Sequence, residues 1–279
     1  MHWVDQARTK KAYDLQWNRF RIVRPEEDRA TFYGRTGFLP EALRGCTVLD
    51  AGCGMGRYLR VAAGAAGQVV GLDLSGAVHA AQALTAEFPN VQVVRGDLLR
   101  PPFRAKTFDY IYSIGVLDHT PNPQSAFLAL ALLLKPGGRI AVWVYKKERP
   151  AVERIMNLHR AVSTKLPLGA LVGLSRIMAP IGGVKRKMMQ SRFRLIERLG
   201  VAFNLCTIGV SMHPDPEVRV CDTLDWYAPR FASRHTFEEV AGWCAEAGLI
   251  NVSNLSEGQQ LFHTGQGNGI NIAATRPKS

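Results

Sequence analysis

The feature that most constrains the fold is a glycine-rich segment at 47–57, Thr-Val-Leu-Asp-Ala-Gly-Cys-Gly-Met-Gly-Arg. The short apolar run that opens it predicts a buried strand at 46–50, and the apolar periodicity that follows predicts a helix at about 55–64. Strand, glycine turn and helix in this order are typical of a nucleotide-type site at the carboxyl edge of a parallel sheet. Glycine is needed there because a Cβ atom would hold the backbone away from a bound ligand. The dinucleotide pattern G-x-G-x-x-G would require glycine at Arg57, which argues against NAD or FAD.

Downstream, predicted strands alternate with predicted helices. This alternation indicates an α/β fold with a seven-stranded, mostly parallel sheet and helices on both faces. Lys135-Pro-Gly-Gly138 is expected to end a helix and turn the chain before the fifth strand. The pattern lapses after that strand and resumes at Thr236, where Glu239 completes a capping box. The predicted strands are 46–50, 68–72, 91–95, 107–112, 139–145, 249–255 and 269–275, and the predicted helices are 55–64, 76–87, 121–134 and 236–247.

Acidic residues follow three successive predicted strands. Asp50 ends the first, Asp73 ends the second and Asp97 follows the third. A carboxylate at the second position can accept hydrogen bonds from both vicinal hydroxyls of a ribose. Asp97 is placed to accept from an exocyclic adenine amine, with Leu98 against the base. Each acid alone is more often a helix cap or a solvated turn residue, but the three together beside a glycine loop favour a nucleoside site.

Several segments resemble the class I S-adenosylmethionine-dependent methyltransferases. Val48–Gly56, V-L-D-A-G-C-G-M-G, is similar to their first motif, V-L-D-x-G-C-G-x-G. Phe108–Pro123, F-D-Y-I-Y-S-I-G-V-L-D-H-T-P-N-P, is similar to their fourth-strand motif, F-D-x-V-x-S-x-x-V-L-x-H. With Leu134–Ile140 the resemblance covers residues 46–145, and it resumes weakly at 236–275.

The resemblance implies a Rossmann-like sheet, S-adenosylmethionine as cofactor and S-adenosylhomocysteine as product. It implies that the glycine loop holds the methionine part, Asp73 the ribose, and Asp97 with Leu98 the adenine. Ser113 and Gly115 would then line the channel to the methyl group. The cofactor-binding residues carried over in this way are Asp50, Gly52, Cys53, Gly54, Asp73, Leu74, Asp97, Leu98, Ser113, Ile114 and Gly115.

His119, after the fourth predicted strand, is the candidate general base, because a hydroxyl acceptor must lose its proton. The alternative is that His119 caps or pins the following helix. Tyr227 is a weaker catalytic candidate. Asp118 and His119 offer one carboxylate and one imidazole, which is too small a set to predict a metal.

Residues 1–45 are expected to form a helical lid on the edge of the sheet, because aromatic residues recur there at roughly helical spacing. Tyr13 and Trp17, with Arg19 beside them, are candidates for contact with cofactor or substrate. The alternative is that they only pack the lid onto the sheet.

Positive charge is concentrated in one segment of the chain. The formal net charge is +12, and Arg139–Gly200 holds 14 Lys or Arg against three Glu, a balance of +11. Within it, Val184–Phe203 places Met188 and several leucines on one side of a predicted basic amphipathic helix. Three interpretations stay open for this helix: a solvated face packed on the domain, a membrane-surface or lipid-substrate site, and, less favoured, a nucleic-acid site without any recognisable RNA-binding fold.

The segment at 222–236 returns the chain to the sheet, and its Asp-Trp-Tyr-x-Pro pattern resembles a branch of bacterial class I methyltransferases. Trp226, Tyr227 and Arg230, with His235, are candidate substrate-binding residues, since aromatic and guanidinium groups can wall a cleft. The equal alternative is that they dock the inserted helices.

Cysteine content and apolar runs indicate the setting of the protein. Five cysteines form no C-x-x-C pair, and their odd number argues against a disulfide framework, so we expect a reduced, cytoplasmic protein. The amino terminus lacks a signal-peptide pattern, and no window holds 18 uncharged apolar residues, so no membrane span is expected. Attachment at a membrane surface through the basic insertion is the remaining alternative.

The predicted organisation is a lid at 1–45, a first core part at 46–146, a basic helical insertion and substrate lid at 147–235, and a last core part at 236–279. The predicted function is in-line methyl transfer to a small-molecule hydroxyl or amine, on an anionic or lipid-like substrate. A catalytically idle cofactor-binding scaffold and an RNA methyltransferase are the alternatives.

Overall fold

Seven strands form one sheet in the computed structural model, which describes residues 2–206, 209–256 and 269–278. Their order across the sheet is β3-β2-β1-β4-β5-β7-β6. The first five strands pair in parallel, while β7 runs antiparallel to both β5 and β6. The strands are β1 Thr47–Ala51, β2 Gln68–Asp73, β3 Val91–Arg95, β4 Phe108–Ile114, β5 Leu134–Tyr145, β6 Ile250–Asn254 and β7 Gly269–Thr275.

Helices cover both faces of this sheet. In β1, Leu49 and Val48 point to opposite faces, and each belongs to a separate buried cluster. The cluster with Leu49 includes Phe127 and Trp243, and the cluster with Val48 includes Phe32 and Leu59. The helices are α1 His2–Arg19, α2 Pro25–Thr36, α3 Pro40–Leu43, α4 Arg57–Ala63, α5 Val78–Leu84, a 3-10 turn Leu117–His119, α6 Pro123–Leu132 and α11 Phe237–Glu246.

The predicted seven-stranded, mostly parallel sheet with helices on both faces is confirmed. The capping box at Thr236 and Glu239 is present, as expected from the sequence. The fifth strand differs from its prediction, because it begins at Leu134 and contains the Pro-Gly-Gly stretch. Register shifts between the pairs Phe108–Leu134 and Tyr110–Arg139, so the stretch is a bulge inside β5 where a turn before the strand was predicted.

The described residues divide into two compact units. The first contains 2–147, 231–256 and 269–278, and with them the whole sheet. The second contains 148–206 and 209–230. The predicted insertion at 147–235 spans this second unit, while the predicted boundary between lid and core stays a prediction.

The second unit consists of helices packed on one another: α7 Pro150–Ser163, α8 Leu168–Met189, α9 Arg194–Cys206 and α10 Pro216–Tyr227. Arg160 of α7 donates to the carbonyls of Trp226 and Pro229 at the end of α10, both at 2.6 Å. A cation at the carboxyl end of a helix satisfies carbonyls that have no intrahelical donor. In α8, a Cβ atom on Gly182 would overlap the Ser211 carbonyl oxygen, so close packing requires glycine there.

The predicted single helix at Val184–Phe203 is wrong, since α8 ends at Met189 and α9 begins at Arg194. Between them the Ser191 hydroxyl accepts from the Phe193 amide at 3.2 Å, a local bond that competes with helical hydrogen bonding. Lys185, one of the basic residues of the predicted amphipathic helix, is fully buried, and burial lowers the pKa of its ammonium group.

Among the described residues, α8 is the one helix whose length and composition would suffice for a membrane span, whereas none was expected from the sequence. The two statements differ because the expectation required a stretch of 18 residues without charge, whereas the apolar stretch of α8 includes charged residues such as Arg176. Of this apolar stretch, 39% is buried inside the structure.

Asp50 is buried at the end of β1 and lies beside Tyr112 of β4 in the strand register. Burial raises the pKa of this carboxyl to about 8; the Tyr112 hydroxyl lowers the pKa and the Asp73 carboxylate raises it further. Asp50 is therefore protonated in the folded protein over a pH range in which it is ionised in the unfolded chain.

This difference predicts a specific pH dependence of stability. Between roughly pH 4 and 8 the folded state binds one proton more than the unfolded state at Asp50, so this residue makes the free energy of unfolding fall as pH rises. Asp50→Asn removes that contribution. As pH rises from 4 to 8, the free energy of unfolding of the variant should therefore increase relative to that of wild type by at most about 1.4 kcal/mol per pH unit. Urea unfolding from pH 4 to 8 measures it. Glu41→Gln, at an exposed position, should keep the wild-type dependence, and parallel curves for wild type and Asp50→Asn would contradict the assignment.

Candidate functional site

The glycine loop between β1 and α4 turns through a backbone conformation that other residues rarely adopt. Gly52, Gly54 and Gly56 have φ values of +96°, +51° and +93°. A Cβ atom on Gly52 would overlap the Val116 side chain, and one on Gly54 would lie 3.3 Å from the Trp17 ring. The loop therefore brings bare backbone to the carboxyl edge of the sheet, as the spacing of its glycines predicts.

Asp73, at the end of β2, fixes this loop. Its Oδ2 accepts from the Gly54 amide at 2.9 Å, and its Oδ1 accepts from the Ser75 amide at 2.8 Å and the Ser75 hydroxyl at 2.7 Å. The amides of Gly52 and Cys53 also donate to the Leu72 carbonyl, at 2.7 and 3.1 Å. Carboxylate and glycine loop are thus held next to each other, and Oδ2, which accepts one bond, keeps a second lone pair for a ligand.

A cleft of about 970 Å³, its open mouth included, lies over this edge of the sheet, and all of its lining residues belong to the first unit. Asp97 and Leu98 line it at the end of β3, and the Asp97 carboxylate accepts from the Leu99 amide at 2.9 Å. The predicted site residues that line this cleft are Tyr13, Trp17, Gly52, Cys53, Gly54, Asp73, Leu74, Asp97, Leu98, Ile114, Gly115 and His119.

Helix α1 forms one wall of the cleft. Thr9, Tyr13 and Trp17 line it at four-residue intervals, which places them on one face of the helix. On the same helix, Asp14 accepts a hydrogen bond from the Gly76 amide in the loop after β2. The aromatic residues predicted in the lid are therefore part of the cleft wall.

His119 lies in the 3-10 turn after β4 and is 7% exposed. Its Nδ1 is 2.9 Å from the Phe231 carbonyl oxygen, which can only accept, so Nδ1 carries the proton. In the neutral ring Nε2 then has a lone pair and can take a proton. The rings of Tyr13 and Tyr145 stand edge-on to the imidazole, at 5.5 and 5.9 Å between centroids.

The turn that carries His119 is itself held by buried polar contacts. The Asp118 Oδ2 accepts from the Tyr145 amide at 2.9 Å, and the Asp118 carbonyl accepts from the Ser233 amide at 2.9 Å. His235, predicted as a pocket residue, instead has its Nε2 3.0 Å from the Ser233 hydroxyl and 3.7 Å from Asp118 Oδ1. Burial lowers the pKa of His235. Residues 231–235 thus act on the site by positioning His119.

Two predicted cofactor residues lie behind the wall of the cleft. Asp50 is buried in the core beside Tyr112, and Ser113 is fully buried with its hydroxyl donating to the Ala51 carbonyl at 2.8 Å. Ser113 directly precedes Ile114, which does line the cleft, because side chains alternate along a strand, and Asp50 lies two residues before Gly52 of the glycine loop. Their structural contribution is to hold the carboxyl ends of β1 and β4 together.

Three predicted substrate residues lie in the second unit. The Tyr227 hydroxyl donates to the Gly209 carbonyl at 2.9 Å, and Arg230 donates to the Thr164 hydroxyl at 2.9 Å. The Trp226 carbonyl accepts from Arg160. The bonds of Arg160 and Arg230 join α7 and its carboxyl end to the segment 226–230, and the Tyr227 bond joins this segment to Gly209. A role of these residues toward substrate stays a prediction.

The structure adds cleft residues that the sequence analysis missed. Thr9 and Lys10 extend the α1 wall, and the four-residue step back from Tyr13 would have found Thr9. Met55 and Arg57 come from the glycine loop and the first turn of α4. The remaining additions are Tyr58, Ser75, Val116, Thr120 and Pro121.

A parallel sheet with a glycine loop after β1 and acids after β2 and β3 defines an α/β protein that binds a nucleoside cofactor. Residues 49–142 match the family model described as a methyltransferase domain. The chain thus contains a methyltransferase domain of the class I S-adenosylmethionine-dependent type.

Curated relatives agree with this assignment over part of the chain. Demethylmenaquinone methyltransferase of Staphylococcus epidermidis is 37% identical over 102 residues, which are 35% of this chain and 42% of that protein. Sterol 24-C-methyltransferase of Saccharomyces cerevisiae is 32% identical over 137 residues, 45% of this chain and 34% of that protein. The chain spans less than half the length of these relatives, so the similarity concerns the cofactor-binding domain alone.

Among solved structures, an S-adenosylmethionine-dependent methyltransferase from Mesorhizobium loti is similar, with a TM-score of 0.52 and 18% identity. The match covers 91% of this chain and all of that chain, 100%. At this identity the similarity shows the fold alone. The cofactor of the domain is S-adenosylmethionine, and the bare glycine backbone, the Asp73 carboxylate and the partly apolar cleft fit such a group.

The loop geometry predicts that Gly52→Ala weakens cofactor binding. Alanine would have to adopt a φ of +96° and would overlap Val116, so the loop must move away from the position that faces the cleft. Strain of this kind costs on the order of 1–3 kcal/mol, so calorimetry should show about 10- to 100-fold weaker binding of S-adenosylmethionine. Gly242→Ala in α11, where an added Cβ atom meets no other atom within 4 Å, is the matched control. Equal affinities for the two variants would contradict the predicted role of the loop.

Proposed function

We propose that this protein transfers a methyl group from S-adenosylmethionine to a hydroxyl or amine of a small, anionic or lipid-like acceptor. The observation that carries the proposal is the position of His119. Its imidazole is held at Nδ1 and lines the same cleft as Asp73 and the glycine loop. A proton acceptor beside a cofactor cleft favours an enzyme over a cofactor-binding scaffold.

The cofactor supplies a methyl group on a sulfonium ion, whose sulfur leaves as a neutral thioether. The protein's own residues have two tasks. Asp73 and the glycine loop bind and orient the cofactor, and alignment of this kind lowers a barrier by up to roughly 7–11 kcal/mol in well-oriented systems. His119 Nε2 accepts the proton that a hydroxyl or ammonium acceptor releases, and the Phe231 carbonyl keeps the ring in the required tautomer.

Three features support an anionic or lipid-like acceptor. The segment Arg139–Gly200 carries a balance of +11, which favours negatively charged groups. The two relatives described above are named for demethylmenaquinone and for a sterol, which are apolar acceptors. The cleft wall also combines apolar side chains such as Met55 and Leu98 with the aromatic face of α1.

Asp73→Asn tests the cofactor half of the proposal. Replacing the carboxylate by an amide removes the charge-assisted hydrogen bonds expected for the ribose hydroxyls, so the dissociation constant for S-adenosylmethionine should rise about 10- to 100-fold. Calorimetry with S-adenosylmethionine and S-adenosylhomocysteine measures it. Glu87→Gln removes the same unit of charge at an exposed position and should bind like wild type. Wild-type affinity in Asp73→Asn, or no heat with wild type, would refute this site.

His119→Ala tests the catalytic half. Incubation of cell extract with methyl-labelled cofactor should show about 100- to 10,000-fold less transfer than wild type, the usual range for loss of a general base. Cofactor affinity should stay within a few-fold, since His119 is not assigned to cofactor binding. His79→Ala, at an exposed position of α5, is the control and should transfer label normally. Undiminished transfer by His119→Ala would remove the general-base role.

A further inference from the structure

Exposed apolar side chains are concentrated in three helices of the second unit. Of the 17 large apolar residues that the described part of the chain exposes, 13 lie between Ile155 and Phe203. Leu158, Ile177 and Leu195 are 68%, 74% and 70% exposed. Soluble surfaces rarely gather so many large apolar residues, and such patches mark contact with a partner or a membrane.

Helix α7 has its polarity inverted relative to an ordinary surface helix. Arg160 and Ser163 face inward and donate to carbonyl groups near the end of α10. Ile155, Leu158 and Val162, at helical spacing, are exposed. Because the inward face is used by hydrogen bonds, the apolar face cannot be part of this unit's own core.

Helices α8 and α9 also expose large apolar side chains. Leu174, Ile177, Ile181 and Val184 form an exposed stripe along α8, while the opposite face packs inward. On α9 the exposed residues at four-residue spacing are Leu195, Leu199 and Phe203. The two helices pack directly, since a Cβ atom on Gly200 of α9 would lie 2.8 Å from Met188 Cβ of α8. We name the exposed apolar residues of α7, α8 and α9, with Phe193, the α7–α9 surface.

Exposed basic residues interleave with the α7–α9 surface. Between Pro150 and Cys206, ten Lys or Arg stand against two Glu. Lys185 is buried and Arg160 faces inward, but the exposed set still comprises Arg154, Lys165, Arg176, Lys187, Arg192, Arg194 and Arg198. Arg194 and Arg198 flank Leu195 and Leu199 at the same helical spacing, and long basic side chains of this kind extend from an apolar boundary toward charged groups.

The combination of exposed apolar and exposed basic side chains indicates which partner fits the α7–α9 surface. A second copy of the chain docking through the same surface would bring two strongly basic faces together, which is repulsive. A nucleic acid would match the charge but would leave the aliphatic stripes in water. An anionic bilayer supplies both a hydrocarbon boundary for Leu and Ile and negative headgroups for Arg and Lys.

We propose that the α7–α9 surface binds an anionic lipid membrane, with the helices lying at the interface. The inference does not depend on methyl transfer, because it uses residues of the second unit alone. One face of α8 is packed within that unit, with Gly182 against the Ser211 carbonyl, so the contact is at the membrane surface and α8 does not cross it.

The test is co-sedimentation of the full chain with vesicles of phosphatidylglycerol and phosphatidylcholine, or of phosphatidylcholine alone, at 50 to 500 mM salt. Wild type should bind the anionic vesicles and release them as salt rises, since the Debye length shortens from about 10 Å at 0.1 M and exposed charges farther apart than this are largely screened. Arg192, Arg194 and Arg198 all changed to Gln should lower the partition coefficient on the order of 100-fold at low salt. Ile177, Leu195 and Leu199 all changed to Ser should lower it at least roughly ten-fold.

Matched controls change the same chemistry on the first unit. Arg44, Arg100 and Arg104, all exposed, changed to Gln remove three charges, and Leu39 with Leu132 changed to Ser remove exposed apolar side chains. Both controls should bind like wild type, and unchanged thermal unfolding and cofactor affinity would show that all variants fold.

Four results would overturn the proposal: no binding of wild type to anionic vesicles, equal binding to neutral vesicles, control variants that lose as much binding as the α7–α9 variants, or binding that survives alkaline carbonate. The last result would indicate insertion of α8. Concentration-dependent dimerisation that the Ser variant abolishes, without vesicle binding, would assign the surface to a second copy.

Discussion

The bond between the Asp73 carboxylate and the Gly54 amide, 2.9 Å long, is the contact on which the site depends. It joins the end of β2 to a loop that leaves β1 with positive φ at Gly52, Gly54 and Gly56. A backbone in this conformation has few internal hydrogen bonds to hold it, so the neighbouring strand must do so. The same carboxylate also accepts from Ser75, which orders the start of the next loop. One side chain thereby shapes two of the four loops that line the cleft, those after β1 and β2.

The remaining part of the site comes from residues far away in the sequence. His119 follows β4, yet its tautomer is set by Phe231, and its turn is held by Tyr145 and Ser233. The chain reaches 231 only after passing through the whole second unit. The chain leaves the first unit after Lys147 and re-enters it at Phe231, and the two crossing points are joined by the bond from the Lys147 amide to the His235 carbonyl, 2.8 Å long.

Most of the fold was predictable from the sequence because two signals repeat along it. Short apolar runs and glycine turns place six of the seven strands within about two residues, in line with the usual uncertainty of element ends. β5 was the exception, because Pro136 and the following glycines look like a turn but form a bulge whose place depends on its pairing with β4. The glycine loop and the acids Asp73 and Asp97 that line the cleft were also predicted from the sequence.

What sequence could not predict depends on burial. Ser113 and Asp50 are buried, although Ile114 and Gly52, close to them in the sequence, line the cleft. The pleat of the strand decides which side chain reaches the cleft. Lys185 belongs to the basic residues of the predicted amphipathic helix, yet it lies on the buried face of α8 with Met178 and Gly182. The outward apolar faces of α7 and α8 were also not predictable, since periodicity shows that a helix is amphipathic but does not show which face is covered.

The measurement that tests the cofactor site most directly is a crystal structure of the protein grown with S-adenosylhomocysteine. We expect the ligand in the cleft of the first unit, its amino-acid end on the backbone of Gly52 and Gly54, its ribose hydroxyls on Asp73 and its adenine beside Leu98. Ligand density anywhere else, or an empty cleft at saturating ligand, would contradict the assignment of this edge of the sheet as the cofactor site.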